Sequence, residues 1–168
     1  VSKYLKSEHR TIDDETVYSY ISKLEGAFIL NRCSRYDIRG KEILKTQEKL
    51  YLADTSLRYC VLGYSSDTAA AMLENIVYLE LLRRGYVVYT GKDDTAEIDF
   101  VGIKDGAKIY VQVLQQISTA ETEQREYGRL LAIRDNYPKY VLCTDEFTGG
   151  NYEGIQTMHV ADFLLKQL

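Results

Sequence analysis

Apolar and polar positions change period several times along this 168-residue chain, and each change marks an element. Val17, Tyr20, Ile21 and Leu24 recur at helical spacing behind Asp13-Asp14-Glu15, whose charges suit a helix N-terminus, and Gly26 supplies a stop. Residues 27–30 are apolar and read as a strand. Polar residues 31–37 lead to a tip at Arg39-Gly40-Lys41, and residues 49–53 form the return strand. Residues 57–63 read as a short connection. From Thr68 to Arg84 the apolar residues Met72, Leu73, Ile76, Val77, Leu79, Leu81 and Leu82 leave a helix with little polar surface, which predicts burial. Three strands follow over residues 86–89, 97–103 and 108–114, the last two joined by a tight Asp105-Gly106 turn. A helix over 121–134, a strand over 140–143, a Gly-rich loop at 148–150, a strand over 155–160 and a helix over 162–168 complete the order.

The front of the chain suggests a unit of its own. Residues 1–7 look like the tail of a helix, and helix, turn, helix and long hairpin is the order of a winged helix lacking its first elements. This predicts a partial winged helix over residues 1–60 and an α/β domain over 61–168. The opening at Val1, without Met, points to a piece of a longer chain. The hairpin tip would bring Arg35, Arg39 and Lys41 to nucleic-acid phosphates. The acidic start of the preceding helix would face phosphate badly and favours packing or protein contact instead.

Charge changes this picture modestly. Residues 1–60 carry 11 Lys and Arg against 9 Asp and Glu, and residues 61–168 carry 10 against 16, within a net charge of -4. Neither half is basic enough for binding to nucleic acid by bulk charge alone. Cys33, Cys60 and Cys143 are odd in number and far apart, with only His9 and His159 to join them. They read as small buried hydrophobes in a reducing, cytoplasmic setting rather than as zinc ligands. No stretch resembles a signal peptide or a membrane span, so no membrane partner is expected. No Gly-x-x-x-x-Gly-Lys-Ser/Thr sequence occurs, so nothing in this chain itself would hold ATP.

Three polar residues sit in otherwise apolar surroundings. Glu74 lies in the most apolar helix, where a lone carboxylate is costly and needs a partner or a metal. Asp99 lies in Glu97-Ile98-Asp99-Phe100, where period two places Glu97 and Asp99 on one strand face and Ile98 and Phe100 on the other. Such a face is either solvated or gathered around a cation such as Mg²⁺. Gln112 shares a face with Tyr110 and Leu114 on the next strand and must be hydrogen-bonded if buried.

A helix Glu, a strand Asp after a hairpin, and a polar residue two positions before a Lys form the active site of the PD-(D/E)XK nuclease superfamily, which this chain resembles. More narrowly, residues 49–54, 73–86, 97–100 and 110–113 resemble the C-terminal region of a family of prokaryotic AAA-type ATPases. Those chains carry an ATP-binding domain, a winged helix and a nuclease-like domain. The resemblance implies a restriction-endonuclease-like mixed sheet flanked by helices. It makes Glu74 and Asp99 the metal-binding carboxylates and Gln112 the third site residue, with Mg²⁺ as the cofactor here and ATP bound only by the longer parent chain. It also exposes a departure: the Lys position falls on Leu114. Without that charge, cleavage would fall by roughly 10²–10³. Three functions fit: a nuclease-like module that binds DNA or a partner with impaired cleavage, an active Mg²⁺-dependent DNA endonuclease, and a protein-interaction module tethering the ATPase to its target. The residues 74, 99 and 112 are expected to converge on one cleft, with Leu114 beside it.

Overall fold

The computed structural model describes residues 13–93, 96–117, 119–146 and 149–166. The expected helix tail over residues 1–7 lies outside them. Helix α1 (Asp14–Gly26) is capped by Asp13, whose carboxylate accepts from the Thr16 N–H at 2.6 Å. Its C-terminal carbonyls capture the next amides: Phe28 N–H donates to Glu25 O and Ile29 N–H to Leu24 O, both at 2.9 Å. Residues 27–29 are therefore a turn, with Phe28 at φ 58°, and not the start of a strand. Strand β1 (Leu30–Asp37) instead uses the polar stretch, and β2 (Glu42–Leu52) is longer than the apolar pattern indicated. Helix α2 (Ser56–Leu62) stands where a connection was expected, and none of its residues is buried.

Helix α3 (Ala69–Arg83) is the buried helix, contributing Val77, Tyr78 and Leu81 to the core. Then come β3 (Val87–Asp93), β4 (Ala96–Lys104), β5 (Ala107–Val113), helix α4 (Ala120–Leu131), β6 (Lys139–Cys143), β7 (Gly149–Tyr152), β8 (Ile155–His159) and helix α5 (Val160–Leu165). The β4–β5 turn has Asp105 at φ 51° and Gly106 at φ 78°, the pair of positive angles a two-residue hairpin needs. Strand β7 replaces the expected Gly-rich loop; its four exposed residues pair only with β8, so no apolar alternation announces it.

All eight described strands form one mixed sheet in the order β2-β1-β3-β4-β5-β6-β8-β7. Pairs β1–β3, β5–β6 and β6–β8 are parallel, and the others antiparallel. The sheet has a core on each face. Helices α3 and α5 bring Val77, Tyr78, Leu81 and Phe163 against Phe100, Ile109 and Val111. Helix α4 brings Tyr127 and Leu130 against Ile98, Val101, Tyr110 and Val141 on the other. The fold is thus α/β with a mixed sheet flanked by helices.

The two-unit division at residue 60 does not hold for the hairpin. Strand β1 pairs with β3 through Arg35↔Thr90, Tyr36↔Gly91 and Asp37↔Lys92, and Ile38 N–H donates to Lys92 O at 2.9 Å. Cys33 and Tyr51 join the α3-side core, and Tyr36 and Ile38 the α4-side core. A wing on a separate domain would have one face in water. This hairpin buries side chains on both faces, which only a sheet covered from two sides allows. Its tip is exposed at Arg39, Gly40 and Lys41, as the polar sequence there indicated.

Candidate functional site

The sequence-predicted carboxylates meet where the sheet forks. Strands β4 and β5 pair from the turn up to Phe100↔Val111, and Asp99 and Gln112 lie just past the last pair. On its other side, β4 is bulged: Tyr89 faces Val101 and Gly91 faces Ile98, so Asp99 and Phe100 together stand opposite Thr90. The bulge breaks strand parity. Phe100 packs on the α3 face and Ile98 on the α4 face, contrary to the period-two expectation that they share one. Gly91 makes room for this, since a Cβ there would come within 2.9 Å of both Ile98 and Val101.

Asp99 closes the fork with its side chain. Its Oδ2 accepts from Val113 N–H at 2.8 Å, and its own N–H donates to Gln112 Oε1 at 3.3 Å. Burial, followed by the nearby negative charge of Glu74, pushes the Asp99 carboxyl up to about 7, against the pull of the Val113 amide and the Lys49 ammonium. The charge of Glu126 pushes in the same direction as Glu74. Asp99 therefore feels carboxylates from both helix layers.

On the α3 face, Glu74 accepts a short hydrogen bond from the Tyr51 hydroxyl and an ion pair from Lys49 Nζ at 3.0 Å. Lys49 also reaches Glu97 at 2.8 Å, and Glu97 is held by Arg35 at 3.0 Å. Burial works against the Lys49 charge, but the bond to Glu97 and the charge of Glu74 raise its pKa above the usual lysine value. Burial opposes the Glu97 charge as well, and the Lys49 bond outweighs it, holding that carboxyl below the ordinary range. The Tyr51 phenol is pushed far up by burial and by Glu74, so it keeps its proton and donates it to Glu74.

Gln112 points the other way. It shares the α4 side with Tyr110, and its Nε2 donates to Glu126 Oε2 at 3.2 Å, so its amide is satisfied between Asp99 and α4. Glu126 is buried and receives Arg125 and Arg129, both at 2.7 Å. The expectation that Glu74, Asp99 and Gln112 converge on one cleft is corrected: Glu74 and Gln112 approach from opposite faces of the sheet, with Asp99 at the bulge between them, and the placement of Gln112 counts against the nuclease-like arrangement. Leu114 packs against the α4-side core.

Of the expected phosphate contacts, Arg35 is turned into the acidic cluster, because its side chain on β1 points to Glu97 rather than to the hairpin tip. Arg39 pairs with Asp93 at 2.5 Å with its side chain largely exposed, and Lys41 is exposed at the tip. Sequence reasoning missed Lys49, Tyr51 and Glu126 as members of the site. The signals were present. Lys49 and Tyr51 share strand parity, and Glu126 lies four residues before Leu130 on the buried stripe of α4.

Chemically, the fork offers carboxylate oxygens for a hard cation, but Lys49 already bridges two of the carboxylates, Glu74 and Glu97. Among the described residues, no three His, Cys, Asp or Glu side chains are gathered closely enough to hold a metal ion. Nor, among them, is any helix long and apolar enough to cross a membrane.

Comparison with known proteins places the chain beside long relatives. A family model described as "Domain of unknown function (DUF8612)" matches residues 3–68, which end just before α3. The chain is similar to an uncharacterized protein of Haemophilus influenzae, 40% identical over 168 residues, covering 99% of this chain and 41% of that protein. It is also similar to uncharacterized protein MJ1544 of Methanocaldococcus jannaschii, 26% identical over 139 residues, covering 80% of this chain and 30% of that protein. The chain thus spans about two fifths or less of these relatives' lengths. No solved structure matches.

Proposed function

We propose that this chain is a nuclease-like module of a longer protein, descended from a metal-dependent DNA endonuclease, that binds DNA without cleaving it efficiently. The observation that carries this reading is the position of Lys49. Its ammonium bridges Glu74 and Glu97 beside Asp99, filling with an internal cation the place where a nuclease would gather its carboxylates around Mg²⁺. Leu114 adds to it, since an apolar side chain cannot offset charge on a phosphorane. The restriction-endonuclease-like reading of the fold is supported by a helix Glu and a strand Asp that meet at a fork in a mixed sheet. ATP binding, which the AAA-type resemblance implies, belongs to the part of the longer protein outside this chain.

The donor set fits Mg²⁺ in part. Glu74 and Asp99 are the residues that would hold it, and one or two carboxylates with water suffice for this ion. Bound there, the metal would supply Lewis-acid stabilisation of a phosphate oxygen. This chain's own contribution is then to hold the carboxylates, through Tyr51 and the Val113 amide, and to compete with the metal through Lys49.

A second reading has one observation in its favour. Lys49 comes from a different strand than the superfamily lysine, yet it stands close enough to the Glu74–Asp99 pair to supply the charge that Leu114 lacks. In that case the chain is a live endonuclease. Incubating the chain with supercoiled and linear DNA in Mg²⁺ or Mn²⁺ separates the two. The expected result is no cleavage above background, with Leu114→Lys gaining a metal-dependent activity that Asp99→Ala abolishes. Robust cleavage by the unaltered chain, lost in Asp99→Asn and in Lys49→Met, would overturn the first reading in favour of the second.

A further inference from the structure

On the opposite side of the sheet from Glu74 lies a cavity of about 800 Å³ between the β1–β2 tip and the segment after α4. Its size is that of a small-molecule site. Ile38 and Ile133, both buried, lie at its base. Tyr137 lines it and is 37% exposed.

The charges around it do not balance. Its two carboxylates are already engaged: Asp93 by Arg39 at 2.5 Å, and Asp135 by the Tyr110 hydroxyl at 2.6 Å and by Lys139 at 3.7 Å. Three further cations, Lys41, Lys108 and Arg134, line the same space. Lys108 donates to the Tyr36 hydroxyl at 2.8 Å and stands 4.9 Å over that ring, contacts that orient an ammonium without neutralising it. Among the described residues, Lys41 and Arg134 have no ion-pair partner. Three like charges around one concavity repel each other, and an anion entering it would remove that cost. The fork shows the reverse state, with each cation matched to a carboxylate.

We propose that this cavity is a binding site for a nucleoside phosphate. Lys41, Lys108 and Arg134 take the phosphate, the guanidinium offering the paired donors that phosphate oxygens accept. The nucleoside sits on Ile38 and Ile133 with its base against Tyr137, which is 37% exposed and has Lys108 Nζ 6.0 Å from its ring centroid, so that phosphate and base would meet adjacent groups. The three cations and the aromatic line one and the same cavity, which distinguishes the site from scattered surface lysines. The inference does not rest on the nuclease reading: it uses none of the residues at the fork.

The phosphate could belong to a free nucleotide or to a nucleic-acid strand, and two arms separate these sources. Adenosine monophosphate and a short single-stranded oligonucleotide are each titrated into the full chain at low and high salt, with inorganic phosphate as a third probe. The expected result is saturable, salt-sensitive binding of at least one nucleoside phosphate, tighter than that of inorganic phosphate. Lys41→Gln and Arg134→Gln should each weaken it roughly tenfold, the loss of one charge-assisted contact, and Tyr137→Ala should weaken the nucleoside phosphates but not inorganic phosphate. Lys23→Gln on α1, away from the cavity, should leave binding unchanged. Lys41, Arg134 and Tyr137 are exposed, so these variants fold, which a thermal melt verifies. Tighter binding of the oligonucleotide assigns the phosphate to a strand, and equal or tighter binding of the mononucleotide assigns it to a free ligand. No binding by either nucleoside phosphate at about 1 mM, or binding indifferent to both Lys41→Gln and Arg134→Gln, would sink the proposal.

Discussion

The two sides of the sheet treat charge in opposite ways. At the fork, carboxylates outnumber cations, and the fold answers with Lys49, Arg35 and the Tyr51 hydroxyl, each bonded to an acid. Around the α4-side cavity, cations outnumber unengaged acids, and Lys41 and Arg134 lie in water. The difference teaches where stability and ligand affinity are separable. Charges at the fork are half-buried and mutually dependent, so altering one changes the energy of the rest. At the cavity, Lys41 and Arg134 are exposed, whereas Asp93 is buried and Lys108 and Asp135 are bonded to the core tyrosines Tyr36 and Tyr110.

The largest effect should follow removal of Lys49. Lys49→Met leaves Glu74, Glu97 and Asp99 without their shared cation. Since the pairs are partly solvated, the loss should be about 2–3 kcal/mol, below the cost of breaking a fully buried pair. Urea denaturation at pH 8 reads it directly, and the loss should shrink at pH 5, where Asp99 carries a proton. An unchanged midpoint would mean that the fork is not held by charge balance.

Next is Asp99 itself. Its carboxyl titrates at about 7 in the fold, against about 3.9 in an unfolded chain. Between those values the folded chain holds the additional proton, so stability contributed by this group is highest below about pH 4 and falls as pH rises toward 7. Asp99→Asn keeps an acceptor for the Val113 amide and removes the charge. It should stabilise the protein by about 1–2 kcal/mol at pH 8, with little effect near pH 4, as expected where a buried carboxylate is held against its own stability. Equal stability changes at both pH values would argue against a strained carboxylate there.

The smallest effect is expected on the other side. Arg134→Gln should change stability by less than about 0.5 kcal/mol at either pH, the usual range for an exposed group away from packing. If it instead destabilised the protein as much as Lys49→Met, the contrast between the two sides would disappear.

How much of this was legible can be traced residue by residue. The helix over Ala69–Arg83 and the strands around Asp105-Gly106 follow from apolar periodicity and a turn signal, both local. The same patterns singled out Glu74, Asp99 and Gln112 as polar residues in apolar elements, and burial at the fork bears out their need for partners. Strand β1 was not legible as it formed, because its polar residues are matched by long-range partners: Arg32 with Glu25 and Glu48, and Arg35 with Glu97. Helix α2 was missed because none of its residues is buried and no periodic face marks it.

The sequence by itself determined the α/β alternation, the buried helix, the tight hairpin and the residues under electrostatic pressure. Each depends on interactions within a few positions of the chain. Only the tertiary structure decided that the front hairpin extends the sheet and that the β4 bulge sends Ile98 and Phe100 to opposite faces. It alone decided that Lys49, from 25 residues upstream, neutralises Glu74 while Gln112 turns to Glu126. The physical reason is that pairing between strands and the placement of a charge beside a distant partner depend on packing both faces of the sheet at once. A one-residue bulge there changes which face every later side chain meets, and nothing local in the chain records it.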